Sequence, residues 1–220
     1  MLEVIRADDR KRAGKLLRGD RTLATLLISE ADLYGTKILH WIYAGDTALH
    51  LAAAGHRVEI ARLLLASGAD PNAIMNHRQS GPLHYAADGC PGKQAWNERN
   101  QVETICCLLE PGARINAQDK NGATPLHRAV RTRCSAALQF LLEKGCDPSL
   151  RNKSGSTPFH LAVQYTGRGG SGSEAPKIAQ REIIKSFLAH RVSVRLKDGK
   201  GKSVLDCAAG EGLREMLGRN

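Results

Sequence analysis

Thr124-Pro125-Leu126-His127 decides the fold, because the chain repeats it. The same pattern stands at Thr47-Ala48-Leu49-His50, Gly81-Pro82-Leu83-His84 and Thr157-Pro158-Phe159-His160, with a degenerate fifth copy at Ser203-Val204-Leu205-Asp206. The starts are 34, 43, 33 and 46 residues apart. Thr124 and Thr157 stand where a hydroxyl caps a helix N-terminus, and the proline after each suits the first helical position, where no N–H is needed. Small residues follow, as in Ala52-Ala53-Ala54 and Ala86-Ala87, and let neighbouring helices approach closely. A second apolar helical pattern then closes on Leu64-Leu65, Leu108-Leu109, Leu141-Leu142 or Phe187-Leu188. Gly68, Gly112 and Gly145 come next, where a helix end needs a left-handed residue. Helix pairs this thin cannot bury their own apolar faces, so stacking must supply the core.

Four copies in register across nearly the whole chain resemble the ankyrin repeat. The resemblance implies an all-α solenoid, each unit a β-turn finger followed by two antiparallel helices. It also implies that His50, His84, His127 and His160 hydrogen-bond within and between units. The expected organisation is a single domain: a degenerate N-terminal cap repeat over 1–34, repeats over 35–78, 79–117, 118–150 and 151–195, and a partial C-terminal cap over 196–220. Arg191 replaces the helix-ending glycine of the other units, so a less regular junction is expected there.

Composition excludes several classes. The chain has 220 residues and a net charge of +10, with only 4% aromatics, too few for a sandwich or barrel core of stacked rings. Six cysteines make no dense disulfide framework and show no zinc spacing. No apolar run is long enough to span a membrane, and Met1 to Arg12 carries charges where a signal peptide needs an apolar stretch. A soluble, monomeric protein with free thiols in a reducing, cytoplasmic compartment is expected. Residues 1–110 hold 13 basic and 13 acidic side chains, and residues 111–220 hold 19 and 9. The whole excess sits in the second half and suggests an acidic or anionic partner there.

Three irregularities interrupt the repeats. Insertions at roughly 88–100 and 164–176 fall at one point of the unit, between first and second helix, and such insertions map to loops on one face. They are expected on the edge opposite the fingers, gathering Lys93, Trp96, Arg99, Arg131, Arg133 and Arg168 beside the glycine-rich Gly169-Gly170 stretch. Exposed N–H groups and arginine forks there could hold an anion; the alternative is surface loops, with Trp96 packed inward. The third irregularity is the first finger, lengthened by Lys37-Ile38-Leu39-His40-Trp41-Ile42-Tyr43. It could form a hairpin that presents Trp41 and Tyr43 to a partner, or it could cover the open face beside the N-terminal cap.

The ankyrin resemblance implies partner binding in the concave groove of fingers and first helices. Repeat position places Asp46, His77, Arg78, Tyr85, Lys120, Arg128, Arg151, Lys153, Gln164 and Lys197 there. Non-enzymatic protein binding is the expected function, with an anionic ligand or nucleic acid as the alternative. No catalytic residue, metal or cofactor is assigned. Gly199-Lys200-Gly201-Lys202-Ser203 mimics a phosphate loop but has Leu196 where that loop needs its first glycine. Cys106 and Cys107 lie in an apolar helix with at least one facing the core, and Cys134, flanked by arginines, could carry a lowered pKa.

Overall fold

The computed structural model describes residues 1–30, 32–33, 38, 40–94, 96–164 and 174–218. Among them the chain forms twelve α-helices and two short strands. α1 (Leu2–Arg6) and α2 (Arg10–Gly19) come first, then a 3-10 turn (Arg21–Ala24). β1 (Asp32–Leu33) and β2 (Trp41–Ile42) pair antiparallel, Asp32 opposite Ile42 and Leu33 opposite Trp41. Helix pairs follow: α3 (Ala48–Ala54) with α4 (Val58–Ala66), α5 (Pro82–Ala87) with α6 (Glu98–Leu109), and α7 (Pro125–Arg131) with α8 (Ser135–Glu143). α9 (Pro158–Ala162) with α10 (Glu174–Ala189), and α11 (Val204–Cys207) with α12 (Glu211–Gly218), complete the chain.

First helices stack in one row from α3 to α11 and second helices in another from α4 to α10, while α1 and α2 pack on α3 and α4. The result is an all-α solenoid with one core running from Val4 to Leu217. Ala52, Ala53, Ala86, Ala87, Ala129 and Ala162 are fully buried in the first-helix row, where larger side chains would hold the helices apart. In the last long pair Phe159 and Phe187 stack with ring centroids 4.6 Å apart.

The histidines set the register between units. Nε2 of His50, His84, His127 and His160 reaches the carbonyls of Ser80, Ala123, Ser156 and Lys202 at 2.9, 3.0, 3.0 and 3.1 Å. Each carbonyl belongs to the residue just before the next copy of the motif. Nδ1 meanwhile accepts the backbone N–H of Thr47, Gly81 and Thr124 in the first three. A ring that accepts at Nδ1 and donates at Nε2 is neutral. Burial lowers the pKa of His50, His84 and His127, to about 4 for His84.

Fingers bond to one another through backbone: Lys120 N–H to Arg78 C=O, Lys153 N–H to Asn121 C=O and Gly199 N–H to Gly155 C=O, each 2.8 Å. At the last contact a Cβ on either glycine would sit 2.8 Å from the other's Cα, so both positions need glycine. The phosphate-loop lookalike is therefore a finger, and Ser203 caps the short α11. Thr124 caps α7, its hydroxyl bonding both the His127 N–H and the His127 ring. Thr124→Ala is expected to destabilise the protein by about 1 kcal/mol, read as a lower urea midpoint.

Two expectations need correction. The insertions are not loops alone, because α6 begins at Glu98 and α10 at Glu174, inside the expected insertion bounds. These second helices run 12 and 16 residues, against 9 for α4 and α8. Residues 165–173, the centre of the second insertion, lie outside the described residues. Arg191 does not disturb its junction: it adopts the left-handed conformation (φ 55°) that Gly68, Gly112 and Gly145 adopt, and Val192 N–H bonds Phe187 C=O as Ala69 N–H bonds Leu64 C=O.

Candidate functional site

The lengthened first finger folds back across the first helices. Ile38 and Ile42 are buried, and Ile38 lies so close to Gly55 that a Cβ there would be 3.0 Å from it. His40 goes further: its ring lies 4.5 Å from that of Tyr85, and its nitrogens meet the Trp41 carbonyl at 2.6 Å and the Asp88 carboxylate at 3.1 Å. Trp41, 52% exposed, then forms one wall of a cleft of about 480 Å³. Tyr43 and Arg78 continue the finger side, and Gly89, Trp96 and Arg131 form the other. The finger and the insertion-bearing edge are thus not opposed, as the repeat positions suggest; the folded-back finger joins Trp41 and Tyr43 to Trp96 and Arg131.

Asp88 sits at the base of the cleft. Its carboxylate accepts from His40, from Arg128 at 3.0 Å and from Arg131 at 3.2 Å. Burial alone would raise its pKa, but the His40 hydrogen bond and the charges of Arg128, His40 and Arg131 outweigh this and hold it at about 2. Arg128, only 4% exposed, spans from Asp88 to Asp119 at 2.6 Å. Burial opposes its charge, but the two carboxylates hold its pKa above the ordinary value. Gly89 gives Trp96 room, since a Cβ would fall 2.7 Å from the indole nitrogen and 2.5 Å from Cys134 Sγ.

This packing removes several expected contact residues from the surface. Asp46 is fully buried and accepts from Tyr43 N–H, Asn76 and the Tyr85 hydroxyl at 2.7, 2.8 and 2.7 Å. Tyr85 and Arg128 are buried with it, so all three frame the groove and are not open to a partner. Arg133 is half-buried at φ 61°, and burial pulls its guanidinium pKa down. Cys134 is buried too, and its thiol is pushed up to about 11, opposite to the lowered pKa that its arginine neighbours suggested. Cys107 rises to about 11 for the same reason.

The remaining candidates stay accessible. Tyr43 and Arg78 are half-buried, with Arg78 donating to the Tyr43 hydroxyl at 2.8 Å. His77, Lys120, Arg151, Lys153, Gln164 and Lys197 are exposed, and Arg151 donates to the Lys197 carbonyl. Lys93 and Arg99 are exposed outside the cleft, Arg99 paired with Glu103 at 2.8 Å. Arg168, Gly169 and Gly170 lie outside the described residues.

Sequence reasoning missed Asp88, Asp119 and the glutamines. Gln101 and Gln180 are buried and donate to carbonyls at or just beyond the end of a first helix, Ala86 and Ala87 for one and Ala162 and Gln164 for the other. Both belong to units whose insertion opens the tight interhelical turn. The signal was available: Gln101-Val102-Glu103 and Gln180-Arg181-Glu182 hold one place in the two interrupted units. His160, Asp198 and Cys207 bring potential metal-binding atoms within 4.8 Å of one another. Both His160 nitrogens are already bonded, however, to Thr157 Oγ1 at 2.7 Å and to the Lys202 carbonyl at 3.1 Å.

Among the described residues no helix is long and apolar enough to cross a membrane. Residues 108–162 match a family model of ankyrin repeats in many copies, and residues 44–76 match that of a single ankyrin repeat. Among curated proteins the chain is similar to Rabankyrin-5 of Mus musculus, 35% identical over 107 residues, which is 44% of this chain and 8% of that protein. It is similar to alpha-latrotoxin-Lt1a of Latrodectus tredecimguttatus, 38% identical over 88 residues, 40% of this chain and 6% of the toxin. Ankyrin repeat domain-containing protein 53 of Macaca fascicularis is 34% identical over 92 residues, 40% of this chain and 17% of that protein. The chain therefore spans only a small part of the length of these relatives.

Proposed function

Because the chain is an ankyrin-repeat protein, built of units that generally serve as protein–protein interaction modules, we propose that it binds another protein, without catalysis, through the face of its fingers and first helices. The carrying observation is apolar surface on the first two fingers: Trp41, Ile74 and Met75 are 52%, 42% and 72% exposed. Aromatic residues and methionine are enriched where proteins meet. Lys120, Arg151 and Lys153 extend that face with positive charge and favour an acidic partner surface. Against catalysis, the repeat histidines are spent on register, and Asp88 is spent on three donors. Residues 35–195 are read as the four repeats, capped by 1–34 and 196–220. The six cysteines, none in a disulfide, fit a reducing, cytoplasmic setting.

A photo-crosslinking residue placed at Met75, and in parallel at the exposed Gln139 of α8, tests the reading in extracts of cells that express the protein. Discrete protein adducts are expected from position 75 and not from 139. Adducts from 139 alone, or in equal yield from both, would overturn it.

A further inference from the structure

Resting on the interaction reading above, we propose that the cleft between the first finger and the insertion is an anchor pocket for an acidic, apolar peptide segment of the partner, one carboxylate seated on Arg131 with an apolar side chain between Trp41 and Trp96. Both tryptophans of the chain line this one cleft, whose volume of about 480 Å³ holds a few side chains. The hydrogen-bond inventory selects the charge. Asp88 is the carboxylate in the lining, and His40, Arg128 and Arg131 already occupy it. A lysine or arginine entering the cleft meets no unspent carboxylate and faces Arg78 and Arg131.

The donors are in surplus. Trp96 Nε1 and Arg128 Nε are buried in the lining without a partner among the described residues. Arg131 is 54% exposed, and its bonds to Asp88 run from Nη2, which leaves the rest of its fork toward solvent. A carboxylate can take such a fork through two parallel N–H bonds. The interior attraction is already neutralised, because Asp88 and Asp119 compensate Arg128. The charge left for a ligand is on Arg131, more than half exposed, and on Arg78, which stacks on Tyr43, and both line the cleft with Trp41. An apolar group with an adjacent carboxylate fits that combination, and a polyphosphate, which has no apolar part, leaves both indoles uncovered.

Folded protein is screened against a positional-scanning library of short, end-blocked peptides on beads, and the best sequence is then titrated by tryptophan fluorescence, which reports the cleft directly. The library is expected to select Asp or Glu at one position beside an apolar residue. Replacing that acid by its amide should weaken binding at least about tenfold. Arg131→Gln should weaken it as much, and the two changes together should cost little more than either alone. Trp41→Ala should remove the apolar selection while leaving the acidic one. Thermal melts confirm that both variants stay folded, since both side chains are more than half exposed.

Selection of Lys or Arg, or an acidic peptide that binds Arg131→Gln as tightly as wild type, overturns the pocket. So does binding of a phosphopeptide or oligonucleotide with no acidic peptide selected. Apolar peptides selected without an acid overturn the carboxylate seat and leave the interaction face standing. Loss of the Met75 crosslinks removes the interaction reading itself.

Discussion

Arg128→Ala is expected to lower the unfolding free energy by about 3–5 kcal/mol, the largest loss from any single side chain in the groove. The guanidinium is buried and bridges two buried carboxylates from different places in the stack, Asp88 at the end of α5 and Asp119 in the finger before α7. Removing it strips two carboxylates of their shared counter-charge and leaves Asp119 with only the backbone N–H groups of Asn121 and Ala123. His40 and Arg131 still reach Asp88, but the described ion pairs of Asp119 run to Arg128 alone. The cost comes from orphaned charges and not from lost attraction, so Asp88→Asn, Asp119→Asn and Arg128→Met combined should lose less than Arg128→Ala. Chemical denaturation at neutral pH measures both. A triple variant no more stable than Arg128→Ala would show that packing around Arg128, and not its charge, is what matters.

The second large effect is on pH. Burial lowers the pKa of His56 to about 4, although the Ala86 and Asp88 carbonyls that its Nε2 meets favour the charged ring. His50, His84 and His127 are lowered by burial in the same direction. Between about pH 6.5 and 4 the unfolded chain therefore binds more protons than the folded one, and stability must fall as the pH falls through that window. His56 alone accounts for roughly 3 kcal/mol across it. Asp88 acts in a lower window: its depressed pKa lends stability above the ordinary carboxylate range, and this is lost as the pH drops toward about 2. Urea midpoints from pH 7.5 downward should decline well before carboxylates titrate. In His56→Asn, whose side chain tolerates the left-handed backbone at φ 51°, the slope should flatten while stability at neutral pH drops. A wild-type midpoint constant from pH 7.5 to 5 would contradict the burial of neutral histidines.

The histidine ladder shows how far the repeat was legible. Thr124 and His127 are three residues apart, so their cap closes within one helical turn and follows from local spacing. The inter-unit bond from His127 to Ser156 was expected only from the ankyrin resemblance, and it recurs because one step of the fold puts the same carbonyl beside the same ring each time. Turn glycines, alanine faces and first-helix caps obey the same logic, since each answers to a neighbour in its own unit or the next.

The sequence by itself therefore determined the solenoid and the places where its pattern breaks. Only the tertiary structure decided what the breaks do. A position in the unit puts Asp46, Tyr85 and Arg128 on the groove side, but whether such a residue is covered depends on a segment that has no counterpart in the other units. Here that segment is the first finger, whose path is set by Ile38 against Gly55 and by His40 bonding Asp88, 48 residues further on. Periodicity carries no information about a contact made once, between two irregular parts. The cleft between Trp41 and Trp96 exists because two such departures, a lengthened finger and an insertion, meet across the first helices.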